Sequence, residues 1–251
     1  VKKRLLILGG TTEATQLAAK ASELPNLDVI SSLAGRTQQP HHPLGDLRIG
    51  GFGGAVGLFH YLQDQQIDLL IDATHPFAAQ ISWNAATAVD RASIPRLAIV
   101  RPVWETEPHW IEVESNEAAA GLLPEIAKRI FLTIGRQELA TFAHLTQLWF
   151  LMRMIDPPVA GTPIPPGEVL LARPPFSVAQ ERSWMQSYNI QAIVSKNSGG
   201  DATVSKLIAA RELELPVVMV QRPTTPEGAS VSDVDAALLW INQQLCSQTI
   251  A

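Results

Sequence analysis

Ile67-Asp68-Leu69-Leu70-Ile71-Asp72-Ala73-Thr74-His75-Pro76-Phe77-Ala78 is the stretch that decides the fold. A short apolar run stops abruptly at a polar cluster holding a titratable histidine, and an alanine-rich segment follows. Strand, polar loop, helix is the order in which an α/β protein builds a site. In open parallel sheets ligands collect outside the carboxyl ends of the strands, where loops present polar groups and helix N-termini present unpaired N–H groups. Pro76 suits the first turn of the following helix, because its missing N–H would find no intrahelical partner there. An Asp and a His that merely cap that helix would read the same way, so the rest of the chain has to decide.

Working outward, β-branched or leucine-rich runs alternate with alanine-rich stretches. Strands are predicted at 4–8, 28–33, 69–71, 97–100, 130–134, 149–154, 192–195 and 217–220, and helices at 13–24, 78–92, 116–128, 178–188 and 204–214, with a last one near 234–245. This alternation predicts an α/β fold of parallel sheets covered by helices. Leu207, Ile208, Arg211 and Leu215 recur at helical spacing, which predicts one buried face. Arg101-Pro102-Val103-Trp104-Glu105-Thr106-Glu107-Pro108, rich in proline and charge, reads as a linker. It divides the chain into an N-terminal lobe, 1–102, and a C-terminal lobe, 103–251. A weak internal repeat supports the division: 94–102 resembles 215–223, with the same Pro-x5-Arg-Pro spacing. Two similar lobes facing one another predict a ligand cleft between them.

Composition narrows the classes. With 251 residues, 46% of them hydrophobic, either lobe can bury a core. A formal net charge of −5 argues against general nucleic-acid binding. The single cysteine, Cys246, excludes an intrachain disulfide and any multi-cysteine metal site. The apolar runs are too short to span a bilayer, and residues 1–8 lead into Gly9-Gly10 instead of a signal-peptide core, so the cytoplasm is the expected location. No metal site, no nucleic acid and no membrane partner are expected.

Four loops carry candidate chemistry. Gly9-Gly10-Thr11-Thr12-Glu13-Ala14 follows the first strand, where a dinucleotide-binding fold places its pyrophosphate. It matches G-x-G-x-x-G imperfectly, with Thr11 at the second glycine and Ala14 at the third, and it predicts a variant in which the Thr11 and Thr12 hydroxyls help hold phosphate. A plain strand–helix turn has the same look. The second strand ends in Leu33-Ala34-Gly35-Arg36-Thr37, with no carboxylate for an adenosine ribose. Arg36 and Thr37 suit a 2′-phosphate, so NADPH is expected, with NADH as the alternative. Gly50-Gly51-Phe52-Gly53-Gly54 lets backbone pass close to a ligand, Gly51 and Gly53 being the candidate cofactor contacts, although a crowded turn uses the same residues. In the second half Ser195-Lys196-Asn197-Ser198-Gly199-Gly200 follows a strand and sets a cation, an amide, a hydroxyl and two glycines in one loop, a composition suited to carboxylates or phosphate.

Several motifs together resemble one family, the precorrin-6A reductases of corrin-ring biosynthesis. The likeness is carried by residues 8–14, 33–37, 50–54 and 71–78, by Arg101-Pro102-Val103-Trp104 and Thr133-Ile134-Gly135-Arg136, and by residues 195–200, in order along nearly the whole chain. One departure is Arg173-Pro174-Pro175-Phe176-Ser177, where the family pattern has Gly-Pro-Phe. The resemblance implies two Rossmann-like lobes and a nicotinamide-dependent reduction of one double bond in the precorrin-6A macrocycle, giving precorrin-6B, or the same reduction on cobalt-precorrin-6A. It implies a tetrapyrrole-derived substrate edged with carboxylates. Arg101, Arg136, Arg153, Lys196 and Arg222 are therefore candidates to fix its rim, together with Asn197, Ser198, Gly199 and Gly200. Gly9, Gly10, Thr11, Thr12, Gly35, Arg36, Thr37, Gly51, Gly53 and Thr74 fall to the cofactor. His75 is the candidate catalytic acid, because the ordinary pKa of histidine suits proton transfer near neutrality. Water or the substrate's own carboxyl groups are the alternatives.

Two other classes stay open. A short-chain reductase normally carries Tyr-x-x-x-Lys, but Gln65 and Ala192 stand four positions after Tyr61 and Tyr188. A non-catalytic nucleotide-binding module accounts for the first lobe and leaves the Lys196 loop without a use.

Overall fold

The computed structural model describes residues 2–35 and 44–246. Arg36 and Thr37 lie outside the described residues. In chain order the elements are β1 (Lys3–Leu8), α1 (Thr12–Ala21), β2 (Leu27–Leu33), β3 (Asp46–Ile49), α2 (Gly54–Asp64), β4 (Leu69–Asp72), α3 (Ala79–Ala92) and β5 (Arg96–Ile99). Then come β6 (Trp110–Val113), α4 (Asn116–Ile126), β7 (Arg129–Leu132), α5 (Leu139–Phe142), β8 (Trp149–Met154), β9 (Gly167–Leu171), α6 (Val178–Ser187) and β10 (Ala192–Lys196). The chain finishes with α7 (Ser205–Glu212), β11 (Val217–Val220), β12 (Ser230–Val231) and α8 (Val234–Cys246).

The first sheet runs β12-β5-β4-β1-β2-β3, every pairing parallel. Its middle strand explains why. Leu5, Leu6, Ile7 and Leu8 form an unbroken apolar run, all of it buried, as a strand covered on both faces must. Leu5 and Ile7 pack with Leu17 and Ala18 of α1 and Ala237 and Ile241 of α8, whereas Leu6 and Leu8 pack with Leu58 and Leu62 of α2 and Ala85 and Val89 of α3. Strand order reverses between β1 and β4. In open α/β sheets that switch point is where ligands bind.

The second sheet runs β6-β11-β10-β7-β8-β9, again parallel throughout. Started from β7 it repeats the first sheet strand for strand, with β6 in the place that β12 takes. One face is covered by α6 and α7 through Met185, Leu207, Ala209 and Ala210. Phe142 of α5 meets Phe150 of β8 edge-on, with ring centroids 6.2 Å apart.

The two units are Val1–Pro102 with Pro223–Ala251, and Val103–Arg222. The expectation that 103–251 forms one lobe is therefore corrected for its last part, because the chain leaves the second unit after Arg222. Ser230 and Val231 extend the first sheet beside Ala98 and Ile99, and the Val100 N–H donates to Val231 O at 2.8 Å. Val234, Ala237 and Ile241 of α8 then complete the apolar layer over β1 and β4. The internal repeat gains a structural meaning: β5 and β11 hold equivalent places, and Arg101-Pro102 and Arg222-Pro223 stand at the two points where the chain changes unit.

Two local expectations are also corrected. Pro76 precedes α3 and lies in the turn 75–78, closed by the Ala78 N–H donating to His75 O at 2.7 Å. In α7 the buried residues are Ser205, Lys206, Leu207, Ala209 and Ala210. Arg211 is exposed and pairs with Glu107 at 3.2 Å.

Candidate active site

At the switch point of the first unit the loops after β1 and β4 are tied together. The Gly9 N–H donates to Ser32 O and the Ala73 N–H to Leu8 O, each at 2.9 Å, so both loops leave the sheet in register. Thr11 caps α1, its hydroxyl accepting from the Ala14 N–H at 3.2 Å and donating to Ala73 O at 2.7 Å. That commits the Thr11 side chain to the scaffold, where phosphate binding had been expected of it. Asp72, buried at the end of β4, accepts from the Thr74 hydroxyl at 2.6 Å and the Thr74 N–H at 3.1 Å. Thr74 is thereby fixed in orientation. Thr11, Glu13, Ala73, Thr74, Pro76, Ile99 and Arg101 line a small, open pocket at this end of the sheet.

The β1–α1 turn leaves backbone open at the carboxyl end of β1. Gly10 has φ +112°, and a side chain there would point into open space, so backbone is exposed to an approaching ligand where any other residue would be strained. Gly9 serves packing: a Cβ on it would come within 3.3 Å of Ala14 Cβ and 3.4 Å of Leu33 Cδ2. Thr12 opens α1, whose N-terminus contributes aligned dipoles. Gly35 follows β2, and Gly51 and Gly53 follow β3, at the same end of the sheet. Arg101 pairs with Glu13 through Nη1, at 2.9 and 3.2 Å to the two carboxylate oxygens. Arg101 is placed in the first unit and is engaged there. His75 is exposed, and its Nδ1 accepts from the Phe77 N–H at 3.2 Å. In the neutral ring the proton is therefore on Nε2.

In the second unit Lys196 ends β10, and Arg136 and Arg222 follow β7 and β11, again at carboxyl ends of strands. Lys196 pairs with Glu138 at 3.2 Å, and Arg136 donates to Pro157 O at 3.1 Å. Asn197 is buried, and its amide is committed: Oδ1 accepts from the Trp104 N–H at 2.9 Å while Nδ2 donates to Trp104 O at 3.4 Å. The Trp104 indole donates to Gly200 O at 3.0 Å. Arg222 donates to Asn197 O at 2.8 Å and Ser198 O at 3.0 Å. Asn197 and Arg222, expected to face substrate, thus shape the loop, and the residues flanking both chain crossings pin it.

Arg153 departs furthest from expectation. Its guanidinium is buried, paired with the fully buried Glu181 at 2.5 Å and stacked 4.2 Å from the Phe176 ring. It is part of the interior and does not fix a substrate rim. Lys206 is buried beside this pair, 5.3 Å from the Trp104 ring centroid. Burial, then the Arg153 charge, pushes its ammonium down to about 7, against the opposing pull of Glu181. Two cations thus share one carboxylate, whose Oε2 has no hydrogen-bond partner. Helical periodicity had pointed at Leu207 and Arg211, and no local signal marks Lys206 as buried. Nor does any local signal mark Arg48, in the edge strand β3.

No helix among the described residues is long and apolar enough to cross a membrane. The family described as precorrin-6x reductase CbiJ/CobK matches residues 4–242. The chain is 50% identical over 241 residues to the precorrin-6A reductase of Rhodococcus erythropolis, covering 95% of this chain and 97% of that one. It is 45% identical over 239 residues to the precorrin-6A reductase of a Sinorhizobium species, covering 94% and 92%. Among solved structures it is similar to CobK precorrin-6A reductase, with TM-score 0.89, 39% identity and 96% of each chain covered. The chain belongs to the precorrin-6x reductase CbiJ/CobK family and is an oxidoreductase.

Proposed function

We propose that this chain reduces one double bond of precorrin-6A, in cobalamin biosynthesis, with NADPH as the hydride source. The names of the relatives support the substrate. The observation that carries the cofactor half is the open Gly10 backbone at the switch point of the first sheet, ahead of the α1 N-terminus.

When bound, NADPH supplies the hydride, and the protein positions two ring systems around that transfer. Gly10 and Thr12 receive the pyrophosphate through backbone N–H groups and the α1 dipole, while Gly9, its N–H held by Ser32 O, lets the turn pack closely enough to present them. Gly35, Arg36 and Thr37 hold the 2′-phosphate, a role that rests on the sequence alone for the last two. Gly51, Gly53 and Thr74 complete the cofactor side. Lys196, Arg136, Ser198 and the Gly199 and Gly200 N–H groups hold substrate carboxylates through charge-assisted bonds. His75, as the imidazolium, gives a proton to the atom of the reduced bond that does not receive hydride and is left as the neutral imidazole. A cytoplasmic location goes with this reading, because the nicotinamide pool that it draws on is there.

The test is anaerobic oxidation of NADPH and of NADH with metal-free and cobalt-containing precorrin-6A side by side. One NADPH consumed per metal-free macrocycle reduced is the expected result. Turnover on the cobalt substrate alone would reassign the substrate, and a preference for NADH would remove the cofactor argument.

A further inference from the structure

Arg48 is the third residue of β3, beside Ser32 of β2. Its guanidinium is spread over the glycine loop that follows. Nη1 donates to Gly50 O at 2.5 Å and Nη2 to Gly51 O at 2.8 Å, while Nη1 also reaches the Ser32 hydroxyl at 3.3 Å. Its carbon lies 3.7 Å from the Phe52 ring centroid and 5.1 Å from that of Tyr61, and these two rings meet edge-on at 5.2 Å. The loop is held from the other side as well. A Cβ on Gly57 of α2 would lie 1.8 Å from Phe52 O, so the helix and the loop touch backbone to backbone.

A trans peptide sets its C=O and N–H on opposite sides. With the Gly50 and Gly51 carbonyls turned onto Arg48, the N–H groups of Gly51 and Phe52 must point away from the guanidinium. One planar, always-charged fork therefore sets the direction of two successive donors. A lysine at this position is a single point charge and cannot bind both carbonyls in that geometry.

We infer that Arg48 is a positioning residue for the cofactor, presetting the 50–54 loop so that its donors face NADPH. This rests on the proposed assignment of Gly51 and Gly53 to the cofactor side. The experiment compares Arg48→Lys, Arg48→Met and Gly53→Val with the parent. NADPH affinity is measured by calorimetry without substrate, macrocycle affinity by absorbance titration, and amide exchange at Gly51 and Phe52 by NMR, with circular dichroism as the check on folding. Both Arg48 variants are expected to bind NADPH about tenfold or more weakly, as loss of charge-assisted bonds implies. Their macrocycle affinity stays within about twofold, below the scale of a lost hydrogen bond, and the two amides exchange faster. Rescue by Arg48→Lys to parental NADPH affinity would overturn the fork. Parental affinity in Arg48→Met alongside a loss in Gly53→Val would overturn the inference while leaving the cofactor loop in place. Parental affinity in Gly53→Val would overturn the assignment of the loop itself.

Discussion

Replacing Lys206 by Met should stabilise the second unit near neutral pH, and the gain should fade as the solution is made alkaline. Lys206 is buried within reach of the charges of Arg153 and its partner Glu181. Burial first and the Arg153 charge second hold its pKa at about 7, against an ordinary 10.5. The folded state therefore prefers neutral Lys206, and between these two pH values the unfolded chain binds the extra proton. Stability must then rise with pH across that window and be insensitive to this group below it. Each pH unit contributes at most about 1.4 kcal/mol, so linkage gives about 2 kcal/mol between pH 7 and pH 9. Methionine fills a similar volume, carries no charge, and leaves the Arg153–Glu181 pair intact. Trp104, Trp110, Trp149 and Trp184 lie in the second unit, so urea unfolding followed by tryptophan fluorescence reports on it. The difference between variant and parent, measured at pH 6.5, 8 and 9.5, should be largest at the lowest pH and shrink upward. A difference independent of pH, or a variant less stable than the parent at pH 6.5, would refute the reasoning.

Three further outcomes follow from the proposed function. Arg36→Ala should raise KM for NADPH by removing a phosphate contact of about 1.5–3 kcal/mol and leave KM for NADH nearly unchanged; equal losses with both cofactors would make Arg36 structural. Lys196→Ala should weaken macrocycle binding and keep calorimetric NADPH affinity close to the parent's, whereas Gly10→Val, which strains a φ of +112° and fills the open space there, should do the reverse. If Lys196→Ala abolished NADPH binding in a folded protein, the roles of the two units would be exchanged. His75→Gln should lower kcat by about a hundredfold, the lower end for general acid catalysis, without changing KM for NADPH; an unchanged kcat would hand the proton to water or the substrate.

Much of the architecture could be read from the chain, and the part that could not has one cause. Every strand predicted from an apolar run is interior to its sheet: β1, β2, β4 and β5 in the first, and β7, β8, β10 and β11 in the second. The unpredicted strands β3, β6, β9 and β12 are the four edges. An edge strand is covered less completely, so it needs no continuous apolar run. Asp46-Leu47-Arg48-Ile49 and Gly167-Glu168-Val169-Leu170-Leu171 show little pattern to read. The return of β12 and α8 to the first unit leaves no mark in the sequence for the same reason, since Ser230-Val231 is two residues long and its partner β5 lies about 130 positions earlier.

The candidate site divides along a similar line. Glycines that must adopt a left-handed turn or admit a ligand are local facts, so Gly9, Gly10 and the 50–54 loop stood out in the sequence. The boundary at Pro102 and the Arg-Pro repeat were local as well. What a long polar side chain does is not local, because the chain brings its partner from far away. Arg153 and Lys196 are both cations near the carboxyl end of a strand, but Glu181 and a set of aromatic rings turn the first into an interior group. Trp104 takes up the amide of Asn197 from 93 positions away, and Ala73 takes up the hydroxyl of Thr11 from 62. Residue type and spacing determined which loops could bind a charged or dinucleotide ligand, since backbone freedom and formal charge belong to the residue itself. Tertiary structure alone decided which of those groups are already spent on holding the loops in place, because a hydrogen bond made within the fold is no longer available to a ligand.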